Sequence, residues 1–188
     1  DDYNYVVTKE HVRSVEIGTI VTNIVNNTFE NFTNLQSVIL SNSITNLPES
    51  VFKNCTSLSS ITIPSNVNII HKSAFDNCTN LNAIDLNACI NLHTIQDMVF
   101  HNCSKLSAIV LPNNVTTIGN NVFRDCSLLA SVTLPNSITT IGASAFESCS
   151  SLLNITLSND LTVLEESLFK DSGLQSITIP ESVTTIND

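Results

Sequence analysis

Seven phenylalanines recur along the chain at an almost constant interval, and this repeat restricts the fold more than any other feature. Successive members lie 23, 23, 25, 23, 23 and 23 residues apart, at Phe29, Phe52, Phe75, Phe100, Phe123, Phe146 and Phe169. Self-similarity with a period of about 20 to 50 residues is typical of solenoids and repeat arrays. Each unit is too short to bury its apolar side alone, so neighbouring units must stack to form a common core.

A second pattern, L-x-x-I-x-L, has the same period and predicts a short strand in every unit. Its copies begin at Leu35, Leu58, Leu81, Leu106, Leu129, Leu152 and Leu174, and a degenerate copy begins at Val12. Alternating apolar residues favour a strand with one buried face. The segment between two copies is too long for a hairpin, so we expect successive strands to lie side by side in parallel, about 4.8 Å apart.

The residues after this strand predict a second, shorter strand in each unit. Runs such as Val115-Thr116-Thr117-Ile118 and Ile138-Thr139-Thr140-Ile141 are β-branched and alternate. Gly119 and Gly142 follow them, and we predict a corner with positive φ there. A 23-residue unit with these parts leaves room for at most one helical turn, around residues 143–149.

The sequence therefore predicts a mainly-β repeat solenoid with 23-residue repeats, a parallel main sheet and a second short-strand wall. We assign residues 1–188 to a single domain of about seven to eight coils, with residues 1–11 as an atypical N-terminal segment. Asp188 falls within a repeat, just before the next expected phenylalanine, so the array is expected to continue beyond it.

Residues 111–152, LPNNVTTIGNNVFRDCSLLASVTLPNSITTIGASAFESCSSL, resemble the BspA-like (Treponema pallidum-type) leucine-rich repeat. The resemblance covers nearly the whole chain. It departs where the fourth coil is two residues longer, where the seventh is one shorter, and where Phe32 and Ser172 replace the repeat cysteine. The resemblance implies a right-handed leucine-rich-repeat coil in a cell-surface or secreted protein that acts in adhesion.

Charge and hydropathy exclude several classes of partner. The chain has 17 acidic and 7 basic residues, a formal net charge of −10. Nucleic-acid binding needs a basic face, and docking on anionic lipid needs a basic patch, so neither is expected. No apolar run approaches the roughly 18 residues of a membrane span, so no membrane insertion is expected.

Five of the six cysteines share one position in the repeat: Cys55, Cys78, Cys103, Cys126 and Cys149. Stacked side chains in one column point the same way, so we predict a ladder of buried free thiols rather than disulfides or a metal site. Cys89 lies apart, in the insertion Asn87-Ala88-Cys89-Ile90, and is predicted to be an exposed thiol. Because free thiols suit a reducing compartment, a cytoplasmic location stays open beside the cell-surface or secreted one.

The position after each phenylalanine forms a predicted charge column on the surface. It reads Glu30, Lys53, Asp76, His101, Arg124, Glu147 and Lys170. Signs nearly alternate, so neighbouring coils are expected to form ion pairs that favour the correct register. The four histidines fall at different repeat positions and are not expected to converge. With no catalytic motif, we predict no enzyme activity, no metal and no cofactor.

The outward positions of the main strand form the candidate binding face. One outward column is mostly serine, and the other supplies the candidate contact residues Ile39, Thr62, Asp85, Val110, Thr133, Thr156 and Thr178. The predicted function is a non-catalytic recognition scaffold for adhesion to a host protein or matrix. An intracellular protein-interaction scaffold and a passive spacer in a longer surface protein are the alternatives. A glycan ligand and an end-to-end homodimer are also left open.

Overall fold

The computed structural model of the chain describes residues 8–188, so the first seven residues of the expected N-terminal segment lie outside the described part. The chain is a mainly-β solenoid of about eight turns, as predicted. A short 3₁₀ helix, Lys9–His11, precedes the first coil. Lys9 Nζ donates to the carbonyl oxygen of Glu30 at 3.0 Å and lies 5.7 Å from the centre of the Phe32 ring. This contact fastens the helix to the first coil.

The side of the solenoid formed by the main strands and by the equivalent segments 154–156 and 176–178 is called the strand wall, and its strands form parallel pairs. Their bounds are β1 Ser14–Glu16, β2 Ser37–Ile39, β4 Ser60–Thr62, β6 Ala83–Asp85, β8 Ala108–Val110 and β10 Ser131–Thr133. Hydrogen bonds join β1 to β2, β4 to β6, and β8 to β10. The predicted wall is therefore three two-stranded sheets placed side by side.

The last two predicted main strands, in the segments that begin at Leu152 and Leu174, are not strands in the structure. The one-residue deletion before Leu174 gives a physical reason. In the preceding coil Ser151 N donates to Ser127 O, whereas here Gly173 N donates one position earlier, to Cys149 O. This shift changes the register in which the last coil meets its neighbour.

The second wall is the more continuous of the two. Its strands are β3 Asn46–Leu47, β5 Ile69–Ile70, β7 Thr94–Ile95, β9 Thr117–Ile118, β11 Thr140–Ile141, β12 Val163–Leu164 and β13 Thr185–Ile186. The first five form one parallel sheet in the order β11-β9-β7-β5-β3, and β12 pairs with β13. Their inward residues, such as Leu47, Ile70 and Ile95, are fully buried.

The turns around each phenylalanine form a third hydrogen-bonded side, which we call the Phe wall. Ser50, Phe52 and Asn54 donate their backbone N–H groups to Lys72, Ala74 and Asp76 of the next coil, at 2.8–3.0 Å. Equivalent bonds recur at all six junctions between residues 27 and 171. The phenylalanine rings stack in a column with centroids 5.4–5.6 Å apart. No helical turn forms there within the described residues.

The predicted positive φ at Gly119 and Gly142 is wrong, since no described glycine has positive φ. The left-handed residues lie instead two before and two after each phenylalanine. The column after the ring reads Asn31, Asn54, Asn77, Asn102, Asp125, Ser148 and Asp171. Asparagine and aspartate tolerate this conformation because their short polar side chains bond locally. Asn77 Nδ2 also donates to Asn54 Oδ1 at 2.8 Å, and similar bonds join Asn31 through Asn102.

Candidate functional site

The strand wall presents its predicted contact residues in one exposed column. Each is solvent-exposed: Ile39, Thr62, Asp85, Val110, Thr133, Thr156 and Thr178. Strand pairing places Thr62 beside Asp85 and Val110 beside Thr133, while Ile39 lies beside Glu16. The neighbouring column begins with exposed Ser14, Ser37 and Ser60.

Chemically, this face is small and polar with two apolar projections. Ile39 is 62% exposed and Val110 is 47% exposed. Glu16 and Asp85 are the charged members of the two columns, and both are acidic. The face can therefore offer hydroxyl groups and isolated apolar contacts, with a weakly negative character.

The strand wall has three depressions. One of 300 Å³ lies between Ser131, Thr133 and Thr156, and one of 330 Å³ lies between Thr156, Ser176 and Thr178. Among residues 8–188, no backbone hydrogen bond joins residues 154–156 to a neighbouring coil. Their N–H and C=O groups therefore have no backbone partner in an adjacent coil of the described chain, and the same residues line both depressions.

The third depression, of 400 Å³, is lined by Ile90 and Val110 and lies at the two-residue insertion. The insertion turns Ile90 outward, where it is 64% exposed, and turns Cys89 inward. Sequence reasoning placed Ser176 in the serine-rich outward column but did not identify Ile90 or the backbone of 154–156 as part of the face. The insertion and the one-residue deletion were the signals that could have located them.

The predicted exposure of Cys89 is wrong, because the side chain is fully buried. Its Sγ lies 3.5 Å from the carbonyl oxygen of Pro64, in the space under the preceding coil. Two extra residues allow the loop to fold this thiol into the core. Burial raises the pKa of the Cys89 thiol to about 11, so it is a poor nucleophile near neutral pH.

The ladder of buried free thiols is confirmed. Each thiol donates to the carbonyl oxygen of the phenylalanine in the coil before it, as Cys78 does to Phe52 at 3.1 Å and Cys126 to Phe100 at 3.1 Å. Burial raises the pKa of Cys55 and of Cys149 to about 12. These cysteines fill the core, and their hydrogen bonds join neighbouring coils of the Phe wall.

The charge column forms a chain of ion pairs from Lys53 onward. Lys53 Nζ lies 3.1 Å from Asp76 Oδ2, His101 Nδ1 lies 2.8 Å from Asp76 Oδ1, and Arg124 Nη2 lies 3.2 Å from Glu147 Oε1. Burial favours the neutral form of Asp76, but hydrogen bonds from His101 and Lys53 outweigh burial, so the pKa of Asp76 is lowered. The hydrogen bond to Asp76 raises the pKa of His101.

The first ion pair that the sequence predicted in this column does not form. Within the described part of the chain, Glu30 forms no ion pair with Lys53. The other histidines lie elsewhere, with His71 Nδ1 3.2 Å from Gln96 Oε1 and His93 Nδ1 against the carbonyl oxygen of Asn91. No cluster of three or more metal-binding side chains occurs in residues 8–188.

Comparison with protein families gives one match over almost the whole chain. The BspA type leucine rich repeat region, in six copies, matches residues 3–91 and 85–188. No curated protein sequence matches the chain.

Solved structures of bacterial leucine-rich repeat proteins share the fold. The Treponema pallidum leucine-rich repeat protein is 27% identical, with a TM-score of 0.70, and the match covers 96% of this chain and 74% of that one. A leucine-rich repeat protein from Eubacterium ventriosum is 27% identical, with a TM-score of 0.78 and coverage of 92% and 45%. A leucine-rich cell surface protein from Faecalibacterium prausnitzii is 23% identical, with a TM-score of 0.64 and coverage of 93% and 65%.

The chain spans less than two thirds of the length of the last two structures. In residues 8–188, no helix has both the length and the apolar character that a membrane crossing requires.

Proposed function

The chain belongs to the BspA-type leucine-rich repeat family, and on that premise we propose that it is a recognition scaffold that binds a protein ligand on its strand wall. Scaffolds of this family generally mediate protein–protein binding and are generally non-catalytic. The finer proposal is adhesion at a cell surface, to a host protein or matrix component.

The observation that carries the proposal is the open backbone of residues 154–156, between two depressions of the strand wall. Unpaired N–H and C=O groups on an extended segment can pair with a ligand's backbone, while the flanking threonines select its side chains. Ile39, Ile90 and Val110 add exposed apolar contacts along the same face. The face lacks the tryptophan, tyrosine and arginine that usually dominate binding energy, so repeated weak contacts are expected to provide the affinity.

The cell-surface location rests on a similar protein. The F. prausnitzii relative is described as a cell surface protein, and we extend that location to this chain. The free thiols keep an intracellular scaffold as the alternative. An end-to-end homodimer through the last coil is a separate proposal, supported by the exposed side chains of Ile179 and Ile186.

Fluorescently labelled protein applied to a panel of host cells and matrix proteins tests the strand wall. The double variant Thr133→Lys and Thr156→Lys places two bulky charges beside the open backbone. The matched control, Thr139→Lys and Thr162→Lys, changes two exposed threonines on the second-wall side of the same coils. We expect saturable binding that the first variant loses and the control keeps.

Equal loss in both variants, or no binding by folded protein, contradicts the proposed function and favours a spacer. Size-exclusion chromatography with light scattering, run on the same samples, measures the oligomeric state, and a monomer at all concentrations contradicts the homodimer.

A further inference from the structure

A cleft of 600 Å³ opens on the second-wall side of the solenoid, between the first coil and β3. It is lined by residues 23–26 of the first coil, by Asn46, Pro48 and Glu49, and by His71. These residues lie on the second-wall side of their coils and take no part in the strand wall. The cleft is therefore separate from the face proposed above.

Pro48 explains why the two coils part at this place. In other coils the residue after the short strand donates its N–H to the coil before, as His71 does to Leu47 at 2.9 Å and Gly119 does to Ile95 at 2.9 Å. Proline has no N–H to donate. Among the described residues nothing donates to the Ile24 carbonyl, and residues 22–25 form no strand. The edge of β3 is thus left uncovered.

The same bond is missing at Glu165, between β11 and β12. There both segments remain strands because each pairs on its other side, β11 with β9 and β12 with β13. Residues 22–25 have no such second partner in the described chain. Loss of one bond therefore has a larger effect at the first coil.

Both ends of the cleft are closed, which limits the shape of what it can hold. At one end, Ser41 Oγ and Ser43 Oγ donate to the Thr19 carbonyl at 3.2 and 3.0 Å. At the other end, Asn27 N donates to the Glu49 carbonyl at 2.9 Å. An extended peptide could not run between the coils without breaking these bonds. The occupant must be compact.

The side chains of the cleft determine the chemistry of that occupant. Three carboxamides, of Asn23, Asn26 and Asn46, have no side-chain hydrogen-bond partner among residues 8–188. Each amide offers two donors and an acceptor oxygen. Val25, which is 69% exposed, supplies apolar surface. Neither lysine nor arginine lines the cleft, whereas the Glu49 carboxylate does, so the lining disfavours an anion.

We propose that this cleft binds a neutral saccharide of one or two rings. A sugar combines hydroxyl groups that donate and accept with C–H faces that pack on apolar side chains. The volume falls within the range of about 300 to 1,000 Å³ typical of small-molecule sites. The proposal adds a ligand site that is independent of protein binding on the strand wall.

Saturation-transfer NMR on the full chain tests the ligand class. The probes are methyl glycosides of neutral hexoses and N-acetylhexosamines, compared with glucuronate and a neutral pentapeptide. The protein is made in a bacterial host, because Asn26-Asn27-Thr28 is a glycosylation sequon and a glycan there would obstruct the cleft. We expect transfer to at least one neutral glycoside and none to glucuronate or the peptide. Transfer to no neutral glycoside, or to the peptide instead, overturns the proposal.

Two variants locate the binding. Asn23→Ala with Asn46→Ala removes two carboxamides and is expected to weaken binding at least tenfold. The matched control, Asn113→Ala with Asn159→Ala, removes two exposed carboxamides outside the cleft and is expected to bind as the parent does. Equal weakening in both overturns the assignment to this cleft.

Pro48→Ala tests the cause of the opening. It restores an N–H that can donate to the Ile24 carbonyl and close the first coil on β3. We expect a higher Tm together with loss of saccharide transfer. Unchanged saccharide binding in this variant overturns the geometry that we infer.

Discussion

Gly119 lies against Asp97 of the preceding coil so closely that a methyl carbon at position 119 would stand 2.5 Å from Asp97 Oδ1 and 2.6 Å from Asp97 N. The carboxylate has this position because Asp97 Oδ1 accepts the backbone N–H of Asn120 at 2.8 Å. Gly142 has the same relationship to Asn120, whose Oδ1 accepts the N–H of Ala143 at 2.9 Å. Glycine is needed at both corners for close approach between coils.

Gly119→Ala should therefore destabilise the protein by about 1 to 3 kcal/mol, the usual cost of overpacking. Backbone atoms of the preceding coil line the site and cannot move aside easily. Gly18→Ala is the matched control, because nothing lies within 4 Å of a Cβ there, and its effect should stay within about 0.5 kcal/mol. Urea denaturation of the two variants measures the difference. Equal free energies of unfolding would contradict the close-approach explanation.

The buried repeat was predictable from the sequence because every coil places the same side chain in the same environment. The Phe52 and Phe75 rings and the Cys78 thiol were expected inside, and all three are fully buried. The exposed column from Ile39 to Thr178 was predictable for the same reason, since alternation along a strand fixes which side chains point outward.

The features that were not predictable depend on contacts between coils and on small changes of coil length. Two inserted residues move Cys89 inward, and one deleted residue shifts the bond of Gly173. A motif does not show these effects, because they depend on which atoms the extra or missing residue brings into contact. Pro48 did carry a readable signal, since proline stands where other coils donate an N–H.

Phe100→Ala tests the stacked ring column. Phe100 is fully buried between Phe75 and Phe123, with both ring centroids 5.6 Å away. Truncation should cost about 3 to 5 kcal/mol in the free energy of unfolding. Phe169 is partly buried and stacks on Phe146 alone among the described rings, so Phe169→Ala should cost clearly less. Equal losses in chemical denaturation would contradict this placement of the column.

Thiol reactivity tests the corrected position of Cys89. All six cysteines are free and buried. With a pKa of about 11 for Cys89, roughly 0.1% of that thiol is ionised at pH 8. We expect no fast-reacting thiol in the native protein and six equivalents after denaturation in guanidinium chloride, measured with a chromogenic disulfide reagent. One fast equivalent that Cys89→Ala removes would show that the insertion exposes its thiol.

The ion chain should make stability depend on pH through Asp76 and His101. The pKa of His101 is raised above its usual 6.5. The contribution of its interactions to the free energy of unfolding is therefore fully present below pH 6.5 and is lost as pH rises through the folded-state pKa. The pKa of Asp76 is lowered below 3.8, so its contribution is present above pH 3.8 and is lost as pH falls through its folded-state value. Both contributions are present together between pH 3.8 and 6.5.

His101→Gln tests the loss of stability that we expect from this histidine as the pH rises. Urea denaturation at pH 5.5 and at pH 8.5 should show that the parent protein loses roughly 1 kcal/mol at the higher pH through this pair. The glutamine variant keeps a polar side chain beside Asp76 but cannot gain a proton, so this loss should disappear. His93→Gln, outside the charge column, should keep the parent's pH dependence. If His93→Gln alone removes the loss, the histidine that senses pH is not the one held between Asp76 and Asp125.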